Sequence, residues 1–436
     1  MRCHSNTQGY IEELDLSGCH QLSSDSIIHL AKRYPGLTSL DVSVLPRHGR
    51  MIPGKHRDGV YKDWRKSSAF SQNRPPWRLS NNAIQALTQC SLRNLCLAGH
   101  DLNALTAIAI SEMKSLTSLD ISGCTWQLSQ ADLQNIVRGL GDNLTELRIL
   151  GFEPTELTLL CLRQHCKNLN LLHLTGGKPA ILSKFALNLP AMKSLRNLRV
   201  NQIQGGNVDT LIQQLHPDTT SLDLSAKMDV YASRGRGLRV ESPLNMTPDG
   251  LSALQNLSSL SVLRLSNLMS MSKETASSLL KNLPQLQAFE LRMWPDLDAS
   301  DGRCADVVSS LVPSVVPNLM EITLVGVTLS QNTLLAWTEF KNLRQIEISD
   351  IGSEAGSGDG FLRPWLLSIG SLEAIRITKC GIQWEQVADV VRMKDAESDD
   401  ADDRTDCSID ELVGSMCYED EVVIIKGRKG WEWRWS

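Results

Sequence analysis

The sequence predicts an α/β solenoid, with parallel strands lining a concave face and helices covering the convex one. Three observations predict it. Apolar residues recur in an L-x-x-L-x-L pattern, the pattern restarts at near-constant spacing, and between restarts the apolar period lengthens from two residues to that of a helix.

The stretch from Ile11 to Leu40 shows the unit most plainly. Leu14 and Leu16 lie two apart and so share one face of a strand, while Glu13, Asp15 and Ser17 share the other. Gly18 and Cys19 turn the chain, and Ser23-Ser24-Asp25 offers a helix N-cap. Ile27, Ile28, Leu30 and Ala31 then make an apolar stripe at helical spacing. Pro35-Gly36 ends the helix, and Leu37 starts again 26 positions after Ile11. One such unit cannot bury its own apolar face, so neighbours must stack.

Further starts fall at Leu92, Leu116, Leu144, Leu169, Leu195, Thr219, Leu260, Leu286, Leu319, Leu343 and Leu372. With Ile11 and Leu37 that makes 13, and seven of the 12 gaps are 24 to 26 residues. A single match to the pattern is weak; a series in near register is specific. The best units read LDLSGC (Leu14–Cys19), LDISGC (Leu119–Cys124) and IRITKC (Ile375–Cys380), and helices close with RYPGL, CKNL, NLPQL and VPNL. Over residues 10 to 392 this resembles the cysteine-containing, ribonuclease-inhibitor-like class of leucine-rich repeats, and in particular the repeat domain of F-box leucine-rich substrate receptors. The resemblance implies a horseshoe whose concave face binds a protein target in cullin- and F-box-dependent ubiquitination. The repeats begin within ten residues of Met1, so a cullin ligase adaptor is expected as partner only if an F-box lies upstream.

The periodicity assigns residues 1–392 to the solenoid, with insertions at 46–80 and 226–246. The first insertion carries nine basic residues, among them Arg57, Arg65 and Lys66, against Asp58 and Asp63, net +7, with Trp64 among four aromatics. Basic residues interleaved with aromatics can hold RNA or a phospholipid headgroup, although a solvated loop gives the same composition. The second is locally basic through Arg234, Arg236 and Arg239. Both leave their repeat just after the strand, so both are expected on one rim of the solenoid. After Asn81-Asn82, read as the cap of a helix over 83–88, the repeat resumes. Residues 393–421 are acidic, with net −10 over Lys394–Glu421, and read as largely disordered. Residues 422–436 read as a hairpin about GRKG that caps the last repeat or offers Trp431, Trp433 and Trp435 to a partner.

Composition narrows the function. A net charge of −5 argues against a general nucleic-acid binder, and no 18-residue apolar run or signal-peptide core is present. Eleven cysteines are an odd number, several at repeat-turn positions, which points to free thiols in cytoplasm or nucleus. Cys161, His165 and Cys166 have ligand chemistry but fall on a helix leading into Leu169, so no metal and no cofactor are expected. No nucleophile elbow, zinc-protease motif or phosphate loop occurs; SEAGSGDG at 353–360 and GGK at 176–178 fail the spacing test. The chain is therefore expected to be a monomeric, non-enzymatic binding scaffold, with or without a ligase link.

The residue between the two apolar strand positions should face the inner surface. In order these are Asp15, Asp41, Cys96, Asp120, Arg148, His173, Arg199, Asp223, Arg264, Glu290, Thr323, Glu347 and Arg376. Arg148, His173 and Arg199 form a basic centre, and with Asp223 and Arg264 they are the expected target-binding residues, Arg forks pairing with carboxylate or phosphate. Trp126, Phe152, Trp294 and Trp384 lie beside the strands as candidate groove lining.

Overall fold

The computed structural model describes residues 2–5, 11–19, 22–44, 79–124, 128–204, 208–226, 228–229, 239–240, 244, 246–266, 278–292, 311–325, 335–349, 374–378, 421–427 and 430–434. The chain forms two compact units, the first running to Val230 and the second from Tyr231.

The first unit opens with β1 (Arg2–Ser5), antiparallel to β2 (Ile11–Asp15). From β2 the sheet is wholly parallel through β3 (Ser39–Asp41), β4 (Asn94–Cys96), β5 (Ser118–Asp120), β6 (Glu146–Ile149), β7 (Leu171–Gly177), β8 (Asn197–Ile203) and β9 (Ser221–Ala226). Each crossover carries a helix: α1 (Ser24–Arg33), α2 (Asn81–Leu87), α3 (Ala104–Glu112), α4 (Gln130–Leu140), α5 (Glu156–His165), α6 (Pro179–Asn188) and α7 (Asp209–Gln213). In the second unit α8 (Pro248–Gln255) precedes five parallel strands, β10 (Val262–Ser266), β11 (Ala288–Arg292), β12 (Glu321–Val325), β13 (Gln345–Ser349) and β14 (Ala374–Thr378). There β15 (Glu421–Gly427) pairs antiparallel with β14, and β16 (Gly430–Arg434) antiparallel with β15. Each of the 13 starts read from the sequence thus precedes or opens a parallel strand.

The apolar strand positions make the core. Leu14 and Leu16, Leu40 and Val42, Leu95 and Leu97, Leu119 and Ile121, Leu147 and Ile149, and Leu172 and Leu174 are all buried, and Leu263, Leu265, Phe289 and Leu291 repeat the arrangement in the second unit. Each buried Leu or Ile contributes about 1.5–3 kcal/mol. Left-handed glycines take the chain out of four strands, at Gly18 (φ 70°), Gly99 (φ 83°), Gly123 (φ 75°) and Gly151 (φ 95°), where a side chain would be strained.

Side-chain caps start the helices. Ser23 accepts from the Ser26 N–H, Asn103 from Leu105 and Thr106, Ser129 from Asp132 and Thr155 from Thr158. The sequence assigned the α2 cap to Asn81-Asn82, but helix geometry begins at Asn81 and the cap is Ser80, whose hydroxyl accepts from the Ala83 N–H. Either residue type can cap, so composition alone could not choose between them.

Neighbouring repeats are stitched through polar side chains. Asn143 Nδ2 donates to the Lys114 carbonyl and Asn168 Nδ2 to that of Asp142, both at 2.9 Å. Asn318 Nδ2 does the same to Pro284 at 2.9 Å in the second unit. These are the asparagines of DNL, KNL and PNL, immediately before a repeat start. Cysteines serve the same end: Cys124 Sγ donates to the Leu97 carbonyl at 3.1 Å and Cys161 Sγ to that of Gln134 at 3.6 Å. Burial pushes the Cys90, Cys124 and Cys161 thiols up, and that of Cys166 up to about 12, so these sulfurs stay protonated donors. Cys19 is half-buried, and Cys380 lies outside the described residues.

Close helix approach sets one sharp limit. A Cβ added at Gly139 on α4 would stand 2.6 Å from the Ser111 carbonyl oxygen on α3, whereas one at Gly36 meets nothing within 4 Å. Gly139→Ala should cost about 1–3 kcal/mol and lower the thermal midpoint, while Gly36→Ala should leave it unchanged; equal midpoints for the two variants would contradict this packing.

Candidate functional site

Burying one face of each strand leaves the other to carry any function. In the first unit the register sets Asp15 beside Asp41, then Cys96, Asp120, Arg148, His173, Arg199 and Asp223, each directly paired with the next. In the second, Arg264, Glu290, Thr323, Glu347 and Arg376 follow one another in the same way. A parallel row two positions earlier runs Glu13, Ser39, Asn94, Ser118, Glu146, Leu171, Asn197 and Ser221.

The register brings Arg148, His173 and Arg199 onto adjacent strands, and the two arginines have carboxylate partners. Arg148 Nη1 lies 3.0 Å from Glu146 Oε2 on its own strand, and the Ser118 hydroxyl bonds the same oxygen at 3.0 Å. Arg199 Nε lies 3.2 Å from Asp223 Oδ2 on the next strand, in a pair whose side chains are only 16% and 11% exposed. Arg264 Nε meets Glu290 Oε2 at 3.3 Å in the second unit, and Arg292 takes the other oxygen. The half-exposed Arg148 pair is worth about 0–1 kcal/mol, and the more buried Arg199 pair is dearer to break. These arginines are therefore ion-paired in place, Arg148 along its own strand and Arg199 and Arg264 each to the next strand of its own unit, and the sequence signal for the two lateral pairs was present: Arg199 and Asp223, and Arg264 and Glu290, are opposite charges one repeat apart at equivalent positions.

The aspartates of this row have a structural task that the sequence reading missed. In the D-x-S turns, Asp15 Oδ1 accepts from the Ser17 N–H at 2.9 Å, Asp41 Oδ1 from Ser43 at 2.8 Å and Asp120 Oδ1 from Ser122 at 2.9 Å. Each carboxylate steers its chain out of the strand as an Asx turn does. Burial raises the Asp120 carboxyl, the nearby Asp41 adds to this, and the Ser122 bonds and Arg148 oppose it.

Phe152 is buried, so it packs inside and does not line the face. Trp126, Trp294 and Trp384 lie outside the described residues, as do Arg57, Trp64, Arg65, Lys66, Arg234 and Arg236 of the insertions. His165 sits at the end of α5 between the buried Cys161 and Cys166, and no group of three or more metal-ligating residues occurs among the described residues. Among the described residues no helix is long and apolar enough to cross a membrane.

No family model matches the chain, and no curated protein matches it. Among solved structures the chain is similar to one in the crystal structure of the Rad7 and Elc1 complex in yeast. That likeness is 15% identical, covers 70% of this chain and 86% of the other, and has a TM-score of 0.37, at which it carries no argument about function. The class the fold defines is a leucine-rich-type α/β repeat protein, defined here by its own period and strand register.

Two titrations beside this face run in opposite directions. His100 is 1% exposed, its Nε2 is 2.7 Å from the Val42 carbonyl, and burial lowers its pKa from 6.5 to about 4. Its neutral form is the folded form, so stability is present above pH 6.5 and lost as pH falls toward 4, by up to about 3 kcal/mol. His100→Gln should flatten that part of a denaturation-versus-pH curve. The raised Asp120 costs stability as pH rises from its unfolded value of 3.8. Asp120→Asn should therefore gain on the wild type between acid and neutral pH; a constant difference would remove burial as the cause.

Proposed function

We propose that this chain is a non-catalytic scaffold that recognises another protein through the strand faces of its repeats, with Arg148, His173, Arg199 and Asp223 on the face of the first unit and Arg264 on that of the second. One observation carries the reading. The buried leucines leave an in-register, repetitive face of mainly polar and charged side chains on parallel strands, with fixed spacing between rows. An extended or folded polypeptide fits such a face, and no described cluster there offers the nucleophile and base that catalysis would need.

The finer reading is substrate recognition for ubiquitin-dependent degradation. The cysteine-containing repeats support it, since they resemble those of F-box leucine-rich receptors, with Cys124 donating between repeats. A reducing compartment, cytoplasm or nucleus, goes with that role and with buried protonated thiols.

Photo-crosslinking in the protein's own cells tests both levels. A benzophenone residue at Asn197 on the strand face should give a discrete protein adduct, and one at Leu105, exposed on α3, should not. Equal adducts at both positions, or none at Asn197, would reject the face as the recognition surface. A cullin and its adaptor co-purifying with the adduct would support the ligase role; an adduct without them would leave a stand-alone scaffold.

A further inference from the structure

The second unit's sheet ends on β16, and among the described residues no strand pairs with its outer edge. The row of buried strand positions runs to that edge. Leu263, Phe289, Ile322 and Ile346 are buried and in register across β10 to β13, and the register continues through Ile375 and Ile424 to Trp433. A sheet end of this kind joins an apolar row to a line of backbone N–H and C=O groups, which is a template for one more strand. We propose that the occupant is β16 of a second copy of this chain, paired antiparallel about a two-fold axis at Trp433.

The order of residues in GWEWR points to a second copy. Directly opposite residues of an antiparallel pair share one face of the sheet, so a two-fold axis between identical strands passes through a residue and never between two. Centred on Glu432, the pairing sets carboxylate against carboxylate, and centred on Arg434, guanidinium against guanidinium; both repel. Centred on Trp433, it sets each Glu432 opposite the Arg434 of the other copy, twice by symmetry, and Trp433 opposite its own counterpart. Within the hairpin the residues directly opposite these charges are apolar, Ile425 for Glu432 and Val423 for Arg434, so the second copy supplies the opposite charge on the other side. The same axis carries the apolar row from Ile424 and Trp433 of one copy into Trp433 and Ile424 of the next.

The outer edge of β16 also lacks the features that commonly blunt an edge. It is five residues long, holds no Pro or Lys, and pairs with β15 without a register shift. By contrast β1, the edge strand of the first unit, is four residues long, and its register shifts between His4 and Ser5, an irregularity that turns an edge away from further pairing. The monomer expected from the sequence took no account of this difference between the two edges.

Sedimentation equilibrium of the full chain over a range of concentrations tests this. The wild type should form a dimer that dissociates on dilution. Glu432→Arg and Arg434→Glu, each alone, set like charges opposite one another and should each raise the dissociation constant about tenfold. Mixing the two single variants in equal amounts should restore the dimer, as should combining both changes in one chain, because opposite charges then face each other again. That recovery separates loss of pairing from failure of the hairpin to fold. A wild type that is monomeric at every concentration would overturn the proposal. So would a dimer that neither single variant weakens, since another surface would then hold it, or a weakening that neither mixing nor the double variant reverses. Masses that climb beyond the dimer would overturn it as well, because they mean head-to-tail pairing of β16 with β1.

Discussion

Within each unit, the described repeats are closed on the backbone of the repeat before, and the rest of the structure depends on that. The strand ladder is one layer of this dependence. The asparagines before Leu144, Leu169 and Leu319 are a second, and the thiols of Cys124 and Cys161 a third. Trp337 gives a further instance: fully buried, it donates from Nε1 to the Leu311 carbonyl at 2.9 Å. These donors all reach backbone carbonyls of the preceding repeat; the Cys124 and Trp337 bonds are buried, whereas the asparagine bonds lie at exposed positions. A strand cannot shift by one residue without breaking all of these bonds and turning its leucines outward.

Register also governs the electrostatics. In a fixed ladder the neighbour of a charged residue is chosen one repeat away, so Arg199 meets Asp223 and Arg264 meets Glu290 as a matter of geometry. The basic character of the centre is compensated on the spot. A run of like residues in sequence order is thus a poor guide to the sign of a sheet face, because the row two positions away contributes equally.

Much of the fold was legible because its signals are periodic. The spacing of Leu14 and Leu16, repeated at Leu40 and Val42 and at Leu119 and Ile121, fixes both the buried face and the repeat length. The identity of the strand-face residues followed from the same alternation. Their chemistry did not, for two reasons. Glu146 neutralises Arg148 from its own strand, and only side-chain geometry shows that the pair closes at 3.0 Å. Asp15, Asp41 and Asp120 were placed on the inner face by the alternation alone, which does not show that each is also a local acceptor for a backbone N–H. The α2 cap was displaced by one residue because Ser80, Asn81 and Asn82 are all competent caps and the choice is made by where the chain enters the helix.

The D-x-S bond bears on how such a protein changes over generations. The backbone N–H of Ser17, Ser43 or Ser122 requires an oxygen, and an asparagine amide supplies one as well as a carboxylate does. Turn geometry and surface charge are therefore separable at Asp15 and Asp120, which are both half-buried: an Asp–Asn exchange there alters the field of the face by one unit while the chain still leaves the strand along the same path. A lineage can retune which partners this surface attracts by single-nucleotide steps, without first acquiring stability elsewhere to offset a damaged turn.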